Sequence, residues 1–309
     1  MNTETKQQII KALEVYMELH KVSQSDVAKF ADVNAGYLIE MRKGNTGQKV
    51  GVKYVEFKDT YYIRIANYIG FELNEREIET KTTTQLVEIL TSLNDSKEHC
   101  EPVWIIGETG AGKTYVSQLF EKKFPSEVFS IKIGSSDNLA DILTKIAEAL
   151  RMDYFKGTKS NKIGLIVRRL KKIKDSGLNP QLNFDESEYM KVFTLCAYKE
   201  LFDALKDICP VNLIGTPELL QNVDRAIKLN RPGIAQLFRR VKFKIKHLSG
   251  IDTKFDQFLE GIDVELKKWL QQNCNNYGEL TDVLTPCLRE AKRTGNELTL
   301  PFVKMVLGL

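Results

Sequence analysis

The chain predicts an α/β domain built on a parallel sheet, with a small all-α domain before it and a helical lid after it. Three observations carry this. Short apolar runs alternate with segments of helical period from Glu101 to Leu248, the pattern of strands joined by covering helices. One strand-to-helix junction, Gly107-Glu108-Thr109-Gly110-Ala111-Gly112-Lys113-Thr114, reads G-x-x-x-x-G-K-T, the Walker A pattern. The flanking segments, 1–78 and 251–309, are dominated by helical spacing. The predicted division is therefore 1–78, 79–250 and 251–309.

In the first segment, Ile9, Ile10, Leu13, Tyr16, Met17 and Leu19 mark a helix from Thr5 to His20. The stretch Val22–Arg42 resembles a helix-turn-helix of the phage-repressor class. Ser23 or Ser25 would cap a helix holding Val27, Ala28 and Phe30. Ala31-Asp32-Val33 would turn, with Val33 buried, and Asn34 would cap Ala35–Arg42. That leaves Tyr37, Glu40 and Arg42 near the exposed face, with Leu38 and Met41 in the core. Arg42, Lys43, Lys49 and Lys53 follow one another with no acid between them. Val50 to Phe57 alternates as a short hairpin or wing would, and Tyr61–Gly70 closes the domain as a helix. Tyr37, Arg42 and Lys43 are the candidate DNA contacts here. A protein partner fits the same shape.

The boundary between modules falls near 75–82, and Thr80–Leu93 is predicted helical. Then come a strand at Val103–Ile106, the Walker A loop and a helix from Tyr115 to Lys123. Next are a strand at Val128–Ile133 and helices at Leu139–Leu150 and Ile163–Ile173. Strands follow at Leu182–Asp185, Val211–Thr216 and Val241–Leu248, with a helix at Val192–Leu205 between the first two. In the last segment, Asp252 is expected to cap a helix over Lys254–Gly261. Three further helices are expected at Val264–Asn273, Leu280–Lys292 and Leu300–Leu307.

The chemistry begins at the loop. Glycines 107, 110 and 112 let the backbone turn tightly and aim several N–H groups at one anion. The helix behind it adds its positive end. Lys113 reaches the outer phosphates and the Thr114 hydroxyl ligates Mg²⁺. Glu108, Thr109, Ala111 and Tyr115 complete the nucleotide-binding segment. Hydrolysis also needs a carboxylate near the metal and one to polarise water. Asp185 and Glu186, ending a strand weakened by Pro180, Gln181 and Asn183, suit those roles. Thr216 ends the neighbouring strand, where a hydroxyl senses a terminal phosphate or caps the next helix. Arg239 and Arg240 precede the last strand, and either could stabilise charge on a phosphate across a subunit boundary.

Bulk properties narrow the classes. With 309 residues, two or three domains are expected, and 42% hydrophobic content supplies real cores. No apolar run approaches a membrane span, and the N-terminus lacks a signal-peptide core, so a cytoplasmic location is expected. The cysteines at 100, 196, 209, 274 and 287 form no C-x-x-C pair, and with histidines only at 20, 99 and 247 there is no zinc spacing. Net charge is only +4, but it is unevenly placed. Arg151–Lys174 holds nine basic residues and one acid, Asp153; Arg225–Gly250 holds eight basic residues and none. Two such fields in a nucleotide-binding domain point to a polyanion partner.

The order of Walker A, acidic pair, polar sensor strand, arginine and helical lid resembles that of AAA+ ATPases. With the N-terminal module, the whole chain is similar to the target-selecting ATPases of transposition in phage Mu and related transposons. That resemblance implies an AAA+ P-loop sheet with a helical lid, ATP/ADP and Mg²⁺ as cofactors, and slow hydrolysis. Lys113 and Thr114 become nucleotide and Mg²⁺ ligands, Asp185 and Glu186 Walker B, Thr216 sensor one, and Arg239 or Arg240 the finger. It further implies a homo-oligomer or helical filament on double-stranded DNA, largely indifferent to sequence, which serves a transposase. Lys156, Lys159 and Lys162 are then the expected phosphate contacts in the filament bore. Thr281 stands where many lids carry a sensing arginine; either the lid contributes none or Arg289 or Arg293 does, a departure that points to slow turnover. The other uses of the same architecture are a replication initiator or loader, and an ATPase that controls transcription.

Overall fold

The computed structural model describes residues 1, 3–20, 22–50, 53–71, 78–152 and 154–309. Gly51 and Val52 of the expected hairpin, Asp153 of the basic stretch and 72–77 at the expected boundary lie outside them. The chain forms two compact units, Met1–Glu75 and Arg76–Leu309.

The first unit begins with α1 (Thr3–His20), α2 (Gln24–Phe30) and α3 (Ala35–Arg42). Ser23 caps α2 by accepting from the Asp26 N–H, and Asn34 caps α3 by accepting from Gly36 and Tyr37. Each cap satisfies N–H groups that the first turn leaves orphaned. Strands β1 (Gly47–Val50) and β2 (Lys53–Glu56) pair antiparallel, and α4 (Asp59–Ile69) closes the unit. Left-handed Gly70 ends α4. Leu13, Val27, Leu38, Met41 and Ile65 are fully enclosed in its core.

The second unit opens with α5 (Thr84–His99), β3 (Trp104–Ile106), α6 (Lys113–Lys123), β4 (Val128–Lys132), α7 (Leu139–Ala149) and α8 (Lys159–Asp175). It continues with β5 (Gln181–Asp185), a 3-10 turn at Ser187–Tyr189, α9 (Val192–Ala204) and β6 (Val211–Gly215). Then come α10 (Glu218–Lys228), α11 (Ile234–Val241) and β7 (Ile245–His247). The lid is α12 (Val264–Asn273), α13 (Tyr277–Thr294) and α14 (Leu300–Leu307). The five strands β3 to β7 form one parallel sheet in the order β4-β5-β6-β3-β7.

Strand alternation sorts the side chains onto two faces. Trp104, Ile106, Phe129, Ile131, Leu182, Phe184 and Leu213 meet the core under α7 to α11. Ile105, Val128 and Ile214 meet α5 and α6 on the other face. That second face also carries Gln181, Asn183 and Asn212, all fully buried. Asn183 and Asn212 are direct partners across β5 and β6. Asn212 Nδ2 donates to Asn183 Oδ1 at 2.9 Å, and Gln181 Nε2 donates to the same oxygen at 2.8 Å. Asn212 Oδ1 accepts from Ser96 Oγ of α5 at 2.9 Å and from the Val103 N–H at 2.8 Å. A strand that reads as weak in sequence is held by amides that satisfy one another.

Two expectations fail. Lys254–Gly261 forms turns, not a helix, although Asp252 Oδ1 does accept from the Lys254 N–H at 3.0 Å. The last strand is confined to 245–247, because Val241 completes α11. The helix expected after Thr216 is α10, which starts without a side-chain cap.

Candidate functional site at the phosphate loop

The loop leaves β3 beside the end of β6, where the Gly107 N–H donates to Gly215 O at 3.1 Å. Gly110 and Gly112 sit at φ +77° and +80°, which glycine adopts without strain. Gly112 is the N-cap of α6, so the free N–H groups of that helix open toward the loop. Lys113 folds back, with Nζ on Gly107 O at 2.8 Å and on Glu108 O at 2.7 Å. Burial pushes its pKa down, opposed by the carboxylates of Glu188, Asp185 and Glu108. Of the remaining loop residues, Glu108, Thr109 and Thr114 are exposed and Ala111 is buried. The Tyr115 hydroxyl is hydrogen-bonded to Thr80.

Asp185 ends β5 facing the loop. Burial raises its pKa, and a hydrogen bond from the Thr114 hydroxyl opposes that rise. Hydroxyl and carboxylate thus already meet, as a hard divalent cation requires of its oxygen ligands. Thr216, one step beyond β6, has a buried hydroxyl with no hydrogen-bond partner. A buried polar group left so costs on the order of 1–3 kcal/mol unless something arrives to satisfy it. The cradle of N–H groups, the lysine, the Thr114–Asp185 pair and the orphaned hydroxyl fit a nucleotide phosphate chain with Mg²⁺.

Two residues depart from their expected surroundings. Glu186, at φ +54°, turns away from the loop and pairs with Lys132 of β4 at 2.9 Å. Glu188 takes the inner position instead, its Oε2 accepting from the Thr216 N–H at 3.2 Å. The sequence reading stops at the acidic pair and misses Glu188. The available signal was a third acid close behind the pair, in Asp185-Glu186-Ser187-Glu188.

The arginines separate. Arg240 is paired with Asp203 of α9, which also holds Lys199 at 2.9 Å. Arg239 is exposed and makes no ion pair among the described residues. Both lie in the last turn of α11, where a 100° step per residue sends neighbours to different sides. Lys244 and Lys246, from the same basic stretch, are engaged with Glu101 and Glu88 at 2.9 and 3.1 Å.

The lid meets the loop through Asn276, the N-cap of α13. A methyl group on Gly110 would fall 2.2 Å from Asn276 Oδ1. Tyr277 anchors this end by donating to Gln85 Oε1 at 2.9 Å, while Gln85 Nε2 donates to the carbonyls of Ser249 and Gly250. The Thr281 hydroxyl bonds back to Tyr277 O at 2.7 Å, and Arg293 is paired with Glu290.

The basic segment is not the open loop expected. Lys159 and Lys162 lie in the first turn of α8, and Lys156 precedes it. Lys159 pairs with Glu200 at 2.5 Å, and Lys162 lies over the Phe155 ring at 5.1 Å. In the first unit, Tyr37 is half-buried, with its ring 5.1 Å from Phe57 and 5.6 Å from Tyr61. Arg42 Nη1 donates to Gln24 Oε1 at 2.6 Å, and Lys43 pairs with Glu40 at 2.7 Å. No helix among the described residues is long and apolar enough to cross a membrane.

Residues 96–223 match the family model described as an AAA domain. Among solved structures, the ORC2 protein of Aeropyrum pernix, determined as ADPNP–ADP complexes, is similar with a TM-score of 0.51. Sequence identity there is 14%, over 78% of this chain and 70% of that one. No curated protein matches. The likeness is one of fold: a parallel P-loop sheet with flanking helices, of AAA+ type.

Proposed function

We propose that this chain, which carries an AAA+ ATPase domain, is an ATP-dependent, DNA-binding regulator of transposition. It assembles on target DNA as an oligomer or filament, delivers that DNA to a transposase, and comes apart as ATP is hydrolysed. The observation that carries the assembly step is the difference between the two arginines. A finger must be exposed and uncommitted in its own subunit; Arg239 is exposed and makes no ion pair among the described residues, whereas Arg240 is held by Asp203. Arg239 then reaches the terminal phosphate bound by the neighbouring subunit and stabilises charge developing there.

Within one subunit, Lys113 leaves the carbonyls of Gly107 and Glu108 for the outer phosphates. Thr114 and Asp185 would hold Mg²⁺, which would neutralise phosphate charge. Glu186 turns from Lys132 to polarise the attacking water; Lys132 is exposed, so water compensates much of what opening the pair costs. The Thr216 hydroxyl gains the partner it lacks by donating to the terminal phosphate. Thr281, where a lid arginine is expected, bonds back to its own helix instead, consistent with slow turnover.

DNA is met by phosphate contacts from Lys156, Lys159 and Lys162, and in the helix-turn-helix by Tyr37, Arg42 and Lys43. Binding is then steep in salt and nearly blind to sequence. Electron microscopy of the protein with arbitrary duplex DNA and a slowly hydrolysed ATP analogue tests this reading. Continuous filaments are expected. Discrete complexes at one site would overturn the filament and favour an initiator or an operator-reading ATPase.

A further inference from the structure

The geometry points to Glu188 as a positioning residue for hydrolysis, one that holds the Thr216 end of β6 in place. The inference rests on reading the loop as an ATP site. Three observations converge on this carboxylate. The Thr216 N–H donates to Glu188 Oε2 at 3.2 Å. The position before it is glycine, and a Cβ there would lie 2.6 Å from the same oxygen. Only glycine lets the carboxylate lie flat against the strand end. On the backbone side, Asn222 Nδ2 of α10 donates to Glu188 O at 2.9 Å, which fixes the turn that carries the side chain.

The consequence is a shared support. Through Glu188 the Thr216 backbone is pinned at the end of β6, so its hydroxyl keeps one direction toward the loop, and the two residues act as one unit. Glu186, engaged with Lys132, does not supply this support.

The test uses full-length protein with Glu188→Ala, Glu188→Gln, Thr216→Ala and the Glu188→Ala/Thr216→Ala pair. Hydrogen exchange of the Thr216 amide is read first, without nucleotide. Protection in wild type and in Glu188→Gln, whose amide oxygen still accepts, with loss in Glu188→Ala, is expected. Equal protection in all three overturns the proposal. Steady-state ATP turnover is read second. Glu188→Ala should lower kcat by about 10- to 100-fold at nearly unchanged KM, as for residues that orient a ligand from behind. Thr216→Ala should do likewise, and the double variant should be no worse than either single, because the two act through one another. Multiplying losses in the double variant contradict the shared support. If wild type neither binds nor hydrolyses ATP, the reading of the site fails, while the exchange measurement still decides whether Glu188 holds β6.

Discussion

Strands β5 and β6 each carry polar side chains on one face, and the two ends of those strands treat them in opposite ways. Toward the N-terminal ends, Asn183 and Asn212 find each other and Ser96, leaving only Gln181 Oε1 and Asn183 Nδ2 without partners in that group. At the C-terminal ends, Asp185 and Thr216 face an open loop, and the Thr216 hydroxyl has no partner at all. The first arrangement is knit by side-chain bonds between strands and supports the sheet. The second has an orphaned hydroxyl beside the loop, which suits a site for an incoming phosphate. Polar side chains on one face of the same strands therefore divide into structure and chemistry by whether they bond one another or face the loop.

That division can be broken from either side. The largest effect is expected at the chemical end: Glu186→Gln should lower kcat by about 100-fold, comparable to losing one well-placed catalytic group, with nucleotide affinity and melting temperature retained. Normal turnover would remove Glu186 from the role. Next, Asn212→Ala should cost about 2 kcal/mol of stability, because it strands the Val103 N–H, the Ser96 hydroxyl and Asn183 inside the sheet. Its kcat per folded molecule should be unchanged, measured by chemical denaturation alongside turnover. Thr216→Val should give the opposite pair of results. Stability should hold or rise slightly, since a partnerless buried hydroxyl is removed at constant shape. Its kcat should fall by about tenfold, or about 1.4 kcal/mol of barrier. A Thr216→Val protein that melts early and turns over normally would mean the hydroxyl is structural.

Much of this was legible in the chain itself. The loop glycines, Lys113 and the alternation of strands and helices declare the sheet and its phosphate cradle, because local spacing and backbone conformation determine them. What was not legible depends on pairing in space. Asn183 looks like a defect in β5 until β6 places Asn212 beside it. Arg239 and Arg240 are equivalent in sequence, and only the packing of α11 on Asp203 distinguishes them. Glu188 is hidden behind a more conspicuous acidic pair until the turn at Ser187–Tyr189 folds it under Thr216. Lys159 reads as one cation in a basic run, whereas Glu200, on another helix, pairs with it at 2.5 Å.

The central claim is that ATP is held by one subunit and completed by Arg239 of its neighbour. A mixing experiment tests it most directly. Lys113→Ala cannot bind nucleotide productively, and Arg239→Ala cannot complete a neighbour's site, so each alone should be inactive with ATP, Mg²⁺ and duplex DNA. Combined in equal amounts, they should recover measurable turnover, because Lys113→Ala subunits still lend Arg239 to intact loops. A mixture as inactive as its parts, or an Arg239→Ala protein as active as wild type, would contradict the account.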